Sequence, residues 1–268
     1  MTITARNNTI RASLGVSLLL FVGFLGALLD IYLVHPSGVG LLQFIRGEYA
    51  QIRGTSIFSL LFLLIYSFGG GLLLHSFFRK TVSSEMFFFV FFVLSLSIEA
   101  ARGAQLVIIA QNAPSYYEIV VTRAVYFGRF FGVFCLFTAG LFATGINYQR
   151  FEIVLGITLL LAFTLSFSIP VSSESPLDTL VNRLGSRSQL LAVFFALEAF
   201  SVLNFALAAF LKRNVDYIWM ALGLLLVMAG KDLLFFLVSP APDAVGALLL
   251  VGGTVLFGHR THIVYLWS

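Results

Sequence analysis

Residues 84–111 read SEMFFFVFFVLSLSIEAARGAQLVIIAQ. About 24 of these residues form one apolar run, enough to cross a hydrocarbon core of ~30 Å at ~1.5 Å per residue. Glu99 and Arg102 lie well inside the run. Residues three apart share a helix face, so the carboxylate and the guanidinium can meet. A charge at membrane depth costs ~2.5–3.5 kcal/mol on insertion scales, so such a pair faces protein or water rather than lipid. The stretch therefore predicts a membrane-spanning helix with a polar site built into it.

The rest of the chain agrees. Of its 268 residues, 59% are hydrophobic and only 10% charged, and the mean hydropathy is +1.00. Soluble domains carry about 25% charged residues, so this chain belongs in lipid. Its 30 phenylalanines suit lipid-facing and interhelical packing and imply no aromatic cofactor site. The net charge of +4 is small and dispersed, which argues against nucleic acid as a partner and for flanking charges that orient helices. The single cysteine, Cys135, excludes a disulfide framework within one chain. Arg6 and Arg11 precede an apolar run, Leu14 to Val34, that is too long for a signal-peptide core and reads as a retained first span.

Eight apolar segments emerge, at about 13–34, 55–78, 86–110, 118–145, 152–170, 188–211, 216–238 and 244–259. Their lengths exclude a transmembrane barrel, and the expected fold is an all-α polytopic bundle of one plus seven spans. Residues 1–54 would form the first span with an outer amphipathic loop, and 55–268 the seven-helix bundle. One set of connections holds Arg6, Arg11, Arg79, Lys80, Arg150, Lys212, Arg213 and Arg260; the other holds Arg46, Arg53, Arg183 and Arg187. That bias of eight to four places both termini in the cytoplasm of a cell with an inner membrane. Residues 39–53 could form an interfacial helix. In 177–187, Leu177, Leu180, Val181 and Leu184 share one helical face, which suits an amphipathic segment at the surface.

Apart from His75 in the inner half of span two, eight ionisable residues fall inside the spans away from their ends: Asp30, Glu99, Arg102, Arg123, Arg129, Glu198, Lys231 and Asp232. On this topology all lie between the outer surface and the midplane, and the inner halves carry no Lys, Arg, Asp or Glu. In span six, Glu198, Ser201 and Asn204 recur every three residues and form a polar stripe. In span four, Thr122, Tyr126 and Arg129 lie near one face. The candidate ligand-binding residues are Glu99, Arg102, Arg123, Tyr126, Arg129, Glu198, Asn204, Lys231 and Asp232. They could line a water-filled cavity open to the periplasm, or simply pair and lock the bundle. Gly69-Gly70-Gly71 in span two suggests close helix packing.

Catalytic signatures are missing: the chain has no H-E-x-x-H, G-x-S-x-G, P-loop or cysteine-rich metal spacing. No catalytic residue, metal site or cofactor is expected. Spans two to eight, entered from outside and followed by the terminal HRTHIVYLWS, resemble the seven-helix membrane module of bacterial sensor proteins of the diverse intracellular signalling type. The resemblance covers about 55–268 and is one of layout; no functional residue is carried over from it. In that family the module couples an outer sensing region to a cytoplasmic kinase or cyclase. On this reading the first span and a short loop would stand where the outer domain is expected, with no effector expected after Ser268. The resemblance therefore implies a sensing site within the bundle and a separate signalling partner. The leading expectation is a sensor-like or ligand-binding membrane protein that takes a small polar ligand. The alternatives are a small transporter using the same charges, and a structural or assembly subunit.

Overall fold

The computed structural model describes residues 3–34, 54–79, 83–111, 113–146, 150–172, 179–182, 184–185, 187–237 and 239–266. The proposed interfacial helix at 39–53 and the Asp30 side chain lie outside the described residues. The described helices are α1 (Ile3–Val34), α2 (Gly54–Phe78), α3 (Ser84–Ser95), α4 (Ala101–Ala110), α5 (Ser115–Ala143), α6 (Phe151–Ser168), α7 (Arg187–Lys212), α8 (Asp216–Phe236) and α9 (Pro240–Leu266). A 3-10 turn, Leu96–Ala100, joins α3 to α4, so these three pieces form the third span. Among the described residues, eight helical segments are long and apolar enough to cross a membrane. The chain is an all-α bundle of multi-pass membrane character. Below, its "upper" end carries the turns near 113, 180 and 239, and its "lower" end the turns near 145 and 214.

Two boundaries differ from the sequence reading. α1 begins about ten residues before the apolar window; packing outweighs the weak helix propensity of its Asn and Thr residues, with Ile10 in the core and Asn7 Nδ2 donating to Arg79 O. α9 starts at Pro240 and runs through the terminal histidines to Leu266. Proline fits a helix's first turn, where its missing N–H would have no intrahelical acceptor.

The third span is the axis of the bundle. Its window Ser84–Ile108 is 83% buried and that of α5 is 72% buried, against 17–22% for α1, α6 and α7. Every α3 residue from Glu85 to Ser95 is buried. A helix that is hydrophobic all round belongs inside the protein, and the phenylalanine-rich stretch is indeed core. Phe88 lies on Phe142 of α5 and Phe89 on Phe257 of α9, at ring-centroid separations of 5.5 and 4.3 Å. The outer ring shows its apolar side chains outward, as at Leu19, Phe77 and Phe210, each more than 70% exposed and suited to hydrocarbon.

Glycines set the closest crossings. On α8, Gly223 and Gly230 are seven residues apart; on α9, Gly246 and Gly253 are too. A Cβ on Gly223 would sit 3.0 Å from the Gly253 carbonyl oxygen, and one on Gly246 would sit 2.9 Å from the Gly230 carbonyl oxygen. The two helices thus run backbone to backbone, which small residues alone permit. Of the triple glycine in α2, only Gly71 is tight: a Cβ there would meet Leu94 at 2.7 Å and Leu14 at 3.3 Å.

The connection between α6 and α7 corrects an expectation. Thr179–Asn182 do not form the amphipathic surface helix suggested by the spacing of Leu180, Val181 and Leu184; Leu177 lies outside the described residues. Leu180 has φ 59°, incompatible with a right-handed helix. Val171 and Leu184 pair in an antiparallel bridge, and the Gly185 N–H donates to Pro170 O at 2.8 Å. These contacts turn the segment inward. Leu180 is fully buried beside Phe24, Leu60, Leu64 and Leu106, while Val181 packs with Val125 and Phe235. The apolar face is real, and it is spent on the protein interior instead of the membrane surface.

Candidate functional site

Glu99 is the last residue but one of the 3-10 turn, which rewinds the third span at the depth of the charges. Ser95 and Ser97 each donate to a carbonyl three residues back, Phe92 O and Leu94 O, both at 2.7 Å. Such back-bonding accompanies local tightening and bending of a helix. On α5, Gly128 and Gly132 let this distorted region approach: a Cβ at Gly132 would lie 2.5 Å from Ser95 Oγ.

Six of the expected site residues join into one chain of ion pairs. Arg102 donates to Glu99 Oε2 at 2.5 Å. Arg129 of α5 donates to Glu99 Oε1 at 3.3 Å and to Asp232 Oδ1 of α8 at 2.7 Å. Lys231 donates to the same Asp232 oxygen at 2.8 Å and to Glu198 Oε1 of α7. The order Arg102–Glu99–Arg129–Asp232–Lys231–Glu198 links the third span, α5, α8 and α7, with three acids matching three bases. Glu99 and Arg102 are each 1% exposed. Removing charges from water costs several kcal/mol per ion, so such a chain persists only where each member keeps a partner.

Aromatic faces complete the surroundings. The Arg129 guanidinium carbon sits 3.7 Å from the Phe235 ring centroid, with Phe194 and Phe236 each at 5.0 Å. Arg102 shares Phe235 at 4.9 Å, and Lys231 lies 4.4 Å over Phe194. A desolvated cation over a ring gains about 2 kcal/mol. The phenylalanines that the sequence suggested only as packing are also partners of the cations.

The remaining expected residues separate. Tyr126 is buried next to the chain, its ring edge-on to Phe235 at 6.3 Å. Arg123 points elsewhere, with its guanidinium 5.6 Å from Phe167 of α6. Asn204 packs against Gly140 of α5, one turn and more below Glu198. The stripe Glu198–Ser201–Asn204 does face the bundle, Ser201 being fully buried.

Above the chain sits the α6–α7 connection. Thr179 O accepts from Arg102 Nη1 at 3.4 Å. Asn182, fully buried, donates from its backbone to Thr122 Oγ1 (3.1 Å) and from Nδ2 to Glu118 Oε2 (3.3 Å), and accepts from Gln105 Nε2 (3.4 Å). The described part of this segment, Thr179–Asn182, lies against Arg102 and Gln105, on the side where a cavity open to the outside was one of the two sequence expectations. A groove of about 720 Å³ reaches the chain from the side, between α7 and α8, with Glu198 and Asp232 on its floor.

Sequence reasoning also missed a polar lock at the lower end. Glu85, only 2% exposed, accepts from Tyr265 Oη of α9 and from Ser83 Oγ at 3.1 Å. Arg260 pairs with Asp216 at 3.1 Å and Lys212 donates to Tyr217 Oη at 2.8 Å. Glu85 and Arg6 are both buried at this end, just outside the apolar windows read from the sequence. The signal was the acidic first turn of α3, which is masked by its position at the edge of the apolar window. No protein-family model and no curated protein matches this chain, so its functional reading rests on the geometry.

Proposed function

We propose that the chain is a sensor-like, ligand-binding module of the inner membrane, with the upper end periplasmic, both termini cytoplasmic and a separate protein receiving its signal. The observation that carries this reading is the chain of six charges meeting the 3-10 turn of the third span. From that turn α3 runs, buried and phenylalanine-packed, to Glu85, which holds Tyr265 of the C-terminal helix. A ligand that re-partners Glu198 or Asp232 changes the pairing at Arg129 and Glu99. That change displaces the third span, which ends on the tail. A contiguous packed element with two arrangements is the physical requirement for such coupling.

The test needs no ligand. In a variant lacking Cys135, an environment-sensitive fluorophore on His262→Cys reports the tail in lipid nanodiscs. Glu99→Gln is expected to shift its emission, and Tyr265→Phe to abolish that shift. A folded Glu99→Gln variant with unchanged emission would sink the coupling. It would favour the second reading, a structural subunit, which the ion pairing of all six charges supports.

A further inference from the structure

We infer that the lateral groove between α7 and α8 binds a neutral membrane lipid bearing a hydroxyl group, whose one hydrogen is donated to Glu198 or Asp232. This identifies the ligand class of the site just proposed and rests on that reading. The groove is open on the flank of the bundle, so a ligand reaches it from hydrocarbon. Its wall is apolar, with exposed Phe195, Leu203 and Leu225, and its depth comes from the small side chains of Ala199 and Ala229. Its volume of about 720 Å³ falls in the ~300–1,000 Å³ range of small-molecule pockets.

Its floor sets the chemistry. Lys231 takes Glu198 Oε1, and Asp232 Oδ1 accepts from both Arg129 and Lys231. Among the described residues, Glu198 Oε2 and Asp232 Oδ2 have no donor. Their side chains are 9% and 14% exposed, in contrast to 2% for Glu99. Carboxylate oxygens bare to hydrocarbon are costly, so an occupant that donates a hydrogen bond to one of them is favoured. The six charges already cancel, three against three. A cationic head would leave a net charge in a low-dielectric site, whereas a hydroxyl donates without adding one.

The experiment uses the full chain in nanodiscs and a sixteen-carbon primary alcohol carrying a diazirine in its chain. After photolysis, adducts are mapped by peptide mass spectrometry. The expected result is labelling of α7 and α8 residues at the groove. It should fall at least tenfold for the methyl ether of the same probe, and at least tenfold in Ala229→Phe, which fills the groove. Because the ether comparison uses the native protein, the outcome does not depend on a variant folding. Equal labelling by alcohol and ether, or displacement of the alcohol by hexadecylamine at lower concentration, would overturn the inference. Disulfide-linked dimers of Ala229→Cys in place of labelling would overturn it too, by assigning the groove to a second copy. If alcohol labelling fails while Glu99→Gln still moves the tail fluorophore, the ligand class alone is wrong.

Discussion

Glu99 neutralises two guanidinium groups with one carboxylate, and both are out of reach of water. Glu99→Gln strands Arg102, which keeps only a long hydrogen bond to Thr179 O and the face of Phe235 among the contacts described above. The expected loss of stability is about 3–5 kcal/mol, the usual result of breaking a buried pair from one side. In Glu99→Gln/Arg102→Met the stranded cation is gone, while Arg129 keeps Asp232, so part of the loss should return. Unfolding in nanodiscs measures both variants, and equal losses would contradict direct coupling. The Glu99–Arg102 pair was legible because helical spacing of three is a local property. The partners of Arg129 and Lys231 were not. Which charges meet across helices depends on rotation and tilt, which hydropathy does not record. Phe235 and Phe194 were illegible for a related reason: a ring against lipid and a ring under a guanidinium have the same sequence.

Helices α8 and α9 touch through glycine backbones, so a side chain at Gly230 has nowhere to go: its Cβ would lie 2.6 Å from Leu250 N. Gly230→Val should cost about 1–3 kcal/mol or prevent folding, because backbone cannot yield as a flexible side chain does. Gly252, next to the crossing but facing open space, provides the contrast. Gly252→Ala should change stability by less than about 0.5 kcal/mol. Matching losses at the two positions would remove the crossing from the account. The α6–α7 connection makes an equally local prediction. Leu180→Asp places a charge in an apolar pocket and should open the cover over Arg102, read as faster hydrogen exchange at Val181 and Asn182. Exchange no faster than in the native chain would show that the segment is not held by Leu180. The apolar face of this segment could be seen in the sequence. Its destination could not, since lipid headgroups and a protein interior reward the same pattern. The spans themselves were plain, because crossing a bilayer depends on summed hydropathy over one contiguous run.

Across the whole molecule the distribution of arginine and lysine predicts an orientation that biochemistry can check. In a background lacking Cys135, Asn214→Cys should resist an impermeant thiol reagent in intact cells, and Ala113→Cys should react with it. The reverse pattern would invert the bundle, placing the charge chain on the cytoplasmic side. The balance of that chain has an electrical consequence. Moving one elementary charge through the full membrane potential takes about 2.3 kcal/mol per 100 mV. Three cations and three anions displaced together carry no gating charge, so a rearrangement that shifts the cluster as a unit does no work against the field. The membrane voltage would then neither drive nor oppose the proposed switch, and the cell's energisation would be invisible to it. A step that pulls Lys231 away from both its carboxylates would polarise the site and make its equilibrium depend on voltage.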